Sequence, residues 1–100
     1  MYQDKLECPF CGGDFLHQIK VDVFERWEDQ TTVFHVHTNM EQTVKSQIVN
    51  NERSNNPSLR RHAVSITFEC EECSKKPILC LIQHKGCTYV EWRDKNGNHL

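Results

Sequence analysis

The sequence predicts a mainly β domain, a small antiparallel sheet of about five strands with a long inserted loop. Three observations point there. Apolar and polar residues alternate over short runs near positions 19–23, 31–38 and 64–68, the period of a half-buried strand. Asn, Gly and Pro punctuate the chain between these runs. Two Cys-x-x-Cys pairs, Cys8–Cys11 and Cys70–Cys73, stand at positions where a metal ion would clamp the ends of such a sheet.

The first pair reads Cys8-Pro9-Phe10-Cys11-Gly12-Gly13. Its Pro presets a turn, and the glycines allow positive φ just after the second sulfur. Backbone N–H groups in such a turn can point at the thiolates and offset their charge. The second pair, Cys70-Glu71-Glu72-Cys73, has the same spacing. A two-residue spacer lets both sulfurs of a pair face one ion, so Cys8, Cys11, Cys70 and Cys73 are the expected ligands of one structural Zn²⁺. A set filled by four protein sulfurs leaves no coordination position for water or substrate. These knuckles resemble those of the zinc-ribbon families, in which two of them hold one ion at the edge of a small antiparallel sheet. The whole chain is also similar to small zinc-ribbon proteins of bacterial and prophage genomes. The resemblance implies fold and metal; it brings no assigned activity.

Between the knuckles lie the 58 residues 12–69, far more than a minimal ribbon needs, so a hairpin and loop over 18–62 read as an insertion into a single domain spanning 1–100. Ile19, Val21 and Val23 alternate with Lys20 and Asp22 as one strand. Glu25 to Gln30 is a polar turn carrying Trp27. Thr31 to Thr38 alternates again, with Phe34 and Val36 on one side and Val33, His35 and His37 on the other, which completes a hairpin. Asn39 to Arg61 is rich in Asn, Gln, Ser and charge and reads as a long exposed loop, with a short helix over Glu41 to Val49 as the alternative. Val64, Ile66 and Phe68 form a strand running into Cys70. Ile78 to Gln83 and Thr88 to Arg93 form a C-terminal hairpin about His84-Lys85-Gly86-Cys87.

The remaining candidate residues carry weaker signals. Cys80 alternates with Ile78 and Ile82 and reads as a small buried hydrophobe. Cys87 would face His84 in a two-residue Lys85-Gly86 turn, so no Cys80–Cys87 bridge is expected. His35 and His37 project to one face and read as surface histidines beside a polar loop; with His62 they could instead form a second metal site or a proton-shuttle cluster. His17 could substitute for one cysteine.

At 100 residues and 37% hydrophobic content the core is thin, and metal binding would supply much of the folding energy. The net charge of −2 is not that of a protein held mainly by nucleic-acid phosphates. No apolar run has the length of a signal-peptide core or a membrane span, and six cysteines without an export signal suit a reducing cytoplasm. Nucleophile elbows, phosphate loops, dinucleotide motifs and the His-x-Glu of zinc deaminases are all missing from the sequence. The expectation is a non-enzymatic binding module with an unknown protein partner. The alternative is nucleic acid. Lys45, Arg53, Arg60 and Arg61 make residues 39–62 locally basic, and Trp27 offers a stacking face, so these five residues are the expected contact set.

Overall fold

The computed structural model describes residues 2, 4–39 and 41–100. Among them are six strands: β1 (Leu16–Glu25), β2 (Thr32–Asn39), β3 (Val44–Asn50), β4 (Ala63–Cys70), β5 (Ile78–His84) and β6 (Cys87–Arg93). They form one sheet in the order β3-β2-β1-β4-β5-β6, with every neighbouring pair antiparallel. Two three-stranded meanders therefore meet along the β1–β4 seam.

Local chemistry accounts for the turns. In the β5–β6 hairpin, Lys85 and Gly86 both take positive φ, 50° and 83°, and His84 pairs with Cys87. This is the two-residue turn whose twist matches the flanking strands, and Gly supplies one of its two left-handed positions. The Glu25–Gln30 turn is locked by Arg26. Its guanidinium donates to the Gln30 and Leu59 carbonyls, and its N–H donates to Nδ1 of His62.

The stretch expected to be a long loop contains β3, and no helix forms over Glu41 to Val49. Val44 to Asn50 pairs residue by residue with β2, from Thr38–Val44 to Thr32–Asn50. Its low apolar content misleads because an edge strand hydrogen-bonds on one side only and carries polar residues that discourage further pairing. A short 3₁₀ turn, Asn51–Arg53, follows. Residues 54–62 then carry the chain from the outer edge to the centre of the sheet. Ser54, Pro57 and Ser58 are buried along this path, with Ser58 Oγ donating to the Gln83 carbonyl at 2.8 Å.

The strand registers sort the side chains onto two unlike faces. One carries Asp22, Phe24, Val33, His35, His37, Ala63, Ser65, Thr67, Cys80 and Ile82. Phe24, Val33 and Ala63 form the buried cluster there, with Val49 packed against it. Residues 54–57 and the turn at 95–97 lie over this face. The other face carries Val21, Val23, Phe34, Val36, Val44, Ile48, Val64, Ile66, Leu79, Leu81, Val90 and Trp92. Periodicity marks this second set as the natural core. Yet the buried residues of β1 are Asp22 and Phe24, while Val21 and Val23 are only half-buried. Ile48 remains 73% exposed, Val44 68% and Val90 65%. The chain covers the more polar face and leaves the more apolar one only partly covered, with Leu79 buried there and most of its edge positions exposed.

Candidate metal centre

β1 begins shortly after the first knuckle and β4 ends in the second. Leu16 pairs with Cys70, and the Glu71 N–H donates to the Phe15 carbonyl at 3.0 Å. The antiparallel seam thus brings together two knuckles that are remote in sequence. Each knuckle folds the same way. The Cys8 carbonyl accepts from Gly12 N–H and its own N–H donates to the Gly13 carbonyl, at 2.8 and 2.7 Å. The Cys70 carbonyl accepts from Ser74 N–H and its own N–H donates to the Lys75 carbonyl, both at 2.9 Å. Gly12 and Ser74 occupy equivalent places with φ of 79° and 62°. Lys75 also sits over the Phe10 ring, 4.6 Å from its centroid, joining the two knuckles on the outside.

The four sulfurs cluster within 4.8 Å of one another. Cys8 Sγ lies 3.7 Å from Cys73 Sγ, and Cys11 Sγ lies 3.6 Å from Cys70 Sγ. Four sulfurs at about 2.3 Å around a tetrahedral ion would be about 3.8 Å apart. The spacing therefore fits one metal ion held by Cys8, Cys11, Cys70 and Cys73, and all six cysteines are free of disulfides. Backbone dipoles grade the thiols. The N–H of Cys73, with that of Glu72, holds the Cys70 thiol down to about 7 against the cost of desolvation. The Gly13 N–H favours the Cys11 thiolate, but desolvation and the neighbouring sulfurs of Cys70, Cys73 and Cys8 push it up to about 12. A bound cation would drive off the protons that remain on this cluster.

The other expected residues divide. Cys80 is buried on β5 beside Ser65 Oγ, where desolvation raises its thiol, as a small buried hydrophobe should behave. Cys87 faces His84 and stays apart from Cys80. His17 contacts Glu71 at 3.0 Å on the surface. His62 does not join His35 and His37, because its Nδ1 accepts from Arg26 N–H. Nor are His35 and His37 plain surface histidines. Both are half-buried and both contact Oδ1 of Asp22. Sequence reading missed Asp22 because its approach depends on the β1–β2 register; the one local signal was a carboxylate inside an apolar alternating run.

Within the expected contact set, Trp27 (73% exposed) and Arg61 line one cleft with Phe34 and Ile48. Arg60 is held in a fork by Asp29, at 3.1 and 2.6 Å, with Glu28 at 3.4 Å. Lys45 stands on edge strand β3, and Arg53 lines a separate hollow with Gln47 and Asn50. No helix among the described residues is long and apolar enough to cross a membrane. Comparison with protein-family models, with curated proteins and with solved structures gave no match.

Proposed function

We propose that this chain is a zinc-stapled, non-enzymatic binding module that acts through protein–protein contacts, and that its open apolar face takes a second copy of the chain. The partly covered apolar face of the sheet carries this reading. A dozen apolar positions on six strands share this face, from Val44 and Ile48 at one edge to Val90 and Trp92 at the other; Val44, Ile48 and Val90 are exposed and most of the rest half-buried. Six strands at about 4.8 Å spacing and five residues at about 3.4 Å rise give on the order of 500 Å² of projected area. A corrugated side-chain surface has a larger accessible area than this projection, to be set against about 800 Å² per partner in a standard interface. Sheet faces pack on sheet faces, and a two-fold pair closes without leaving a further open patch.

Zinc is the ion that suits four thiolates in tetrahedral array, and the paired knuckles give the chain its likeness to zinc ribbons. The non-enzymatic reading rests on that closed ligand set. Charge also favours protein over nucleic acid: Arg60, the best-placed cation for a phosphate, is already held by Asp29 and Glu28. Within this proposal the chain acts as an adaptor or inhibitor in the cytoplasm. The mixed-charge end around Glu69, Glu71, Lys75 and Lys76 stays free for a further partner.

Sedimentation velocity tests the reading. Wild-type protein should run as a dimer at micromolar concentration, and the double variant Ile48→Glu, Val90→Glu should run as a folded monomer. A monomeric wild type would overturn the second-copy assignment, as would a dimer insensitive to both substitutions. Binding to an oligonucleotide with a steep salt slope would favour the nucleic-acid alternative.

A further inference from the structure

We propose that Asp22, His35 and His37 form a second metal site, separate from the four cysteines and open to an adjoining cavity, for a divalent transition ion. Asp22 Oδ1 lies 2.8 Å from His35 Nε2 and 2.9 Å from His37 Nδ1. Donors at about 2.1 Å from an ion and at right angles about it would be about 3.0 Å apart, so these two contacts already stand near the spacing that one ion requires. The backbone supplies the alignment. Asp22 pairs directly with His37 across β1 and β2, and His35 shares its face two residues away. The His35 ring is fixed by stacking on Phe24, with centroids 4.5 Å apart and planes 14° from parallel.

Burial and charge argue for a cation. Asp22 is only 8% exposed, and its nearest ammonium, Lys20 Nζ, stands 3.8 Å from Oδ2. A buried carboxylate needs compensation, which imidazole hydrogen bonds supply in part and a divalent ion supplies in full. A second observation is independent of the triad. The three residues line a cavity of about 500 Å³ whose floor includes Thr67. Thr67 is 8% exposed, and its Oγ1 is buried without a hydrogen-bond partner. An unpaired buried hydroxyl in the wall of a polar cavity is a group for which a partner, such as an ordered water, is expected.

Two imidazoles and one carboxylate are the donor set of Fe²⁺, Co²⁺ or Zn²⁺ sites that keep open positions. That distinguishes this site from the closed set of four sulfurs. Lys20 and Arg93 also line this cavity, so the exogenous ligand the site takes is water or a small anion.

Cobalt titration of the protein with its cysteine centre already loaded with zinc is the direct test. One equivalent of Co²⁺ per chain should bind with the weak visible absorption of nitrogen and oxygen ligation, without the intense charge-transfer bands of thiolate ligation. The ring protons of His35 and His37 should show paramagnetic shifts in the wild-type protein itself. Asp22→Asn and His37→Gln should each weaken binding by more than about 100-fold, the upper end of what losing even a supporting residue costs. Circular dichroism and an unchanged zinc content establish that the variants are folded. Failure of the wild type to take up Co²⁺ in this form, or cobalt signals at other histidines that survive both substitutions, would overturn the site. Neither outcome depends on the oligomeric state.

Discussion

Leu16 pairs with Cys70 across the β1–β4 seam, so the strand leaving one knuckle lies beside the strand entering the other. The metal centre and the central seam therefore stabilise each other. An ion bound there would close a loop of 58 residues, and the seam brings its four sulfurs to within tetrahedral distance.

Removing the ion should consequently unfold the domain rather than loosen one end of it. Purified protein should hold one zinc at the cysteine centre. Cys70→Ser or Cys73→Ser should abolish cooperative unfolding, in line with the roughly 10–16 kcal/mol that structural zinc contributes apparently in short peptides. Zinc analysis combined with chelator-dependent circular dichroism checks this, and a cooperative transition in excess chelator would contradict it.

The two knuckles carry different residues at their equivalent left-handed position, and that difference is testable. Ser74 sits at φ 62° where Gly12 sits at φ 79°. A side chain in the left-handed region costs about 1 kcal/mol. Ser74→Gly should therefore stabilise the protein by up to about that amount, reduced by the extra freedom of glycine in the unfolded chain. Gly12→Ala should cost a similar amount. Gly13→Ala should cost less, because the group its Cβ would meet is the Glu72 carboxylate, the free end of a flexible side chain. Urea denaturation of the zinc-loaded variants gives the ranking.

Trp27 and Trp92 should respond differently to a soluble quencher. Trp27 is 73% exposed in a turn, whereas Trp92 is half-buried with its ring 5.9 Å from Phe68 in an edge-on contact. Single-tryptophan variants, Trp92→Phe and Trp27→Phe, should show strong acrylamide quenching for Trp27 and weaker quenching for Trp92. If the open face pairs with a second copy, quenching of both tryptophans should rise further on dilution to monomer, because Trp27 shares a cleft with Phe34 and Ile48 of that face.

The C-terminal turn should carry its own pH dependence. The N–H groups of Asn98 and Asn96 both donate to Asp94 Oδ1 at 2.9 Å and hold its carboxyl below the ordinary aspartate range. A depressed value in the folded state means the contribution is present above the unfolded value and is lost as pH falls through the folded one. The amide resonances of Asn96 and Asn98 should shift together between about pH 5 and pH 1, with a midpoint below that of a free aspartate. Asp94→Asn should remove the transition. An unshifted midpoint would show that the turn does not hold the carboxylate.

Much of the architecture was legible from local pattern. The knuckles, the β5–β6 turn at Lys85-Gly86 and the β1–β2 hairpin all follow from spacing and alternation, and the structure has each of them. β3 was not legible. An edge strand needs one paired side and one covered position, and here only Val49 packs inward, so Val44 to Asn50 has the composition of a loop. Asp22 escaped for a related reason: its partners His35 and His37 lie on another strand, and only the register shows that they meet.

The sequence by itself determined that this protein is a β sheet tied by four cysteines, because thiol spacing and two-residue alternation are local properties. Tertiary structure alone decided which face the chain covers. Alternation marks an apolar side on every strand, but residues 54–62 must cross from outer strand β3 to central strand β4, and they cross over the side bearing Asp22, Ser65 and Thr67. That path buries a carboxylate beside two histidines and leaves Val44, Ile48 and Val90 of the apolar face exposed.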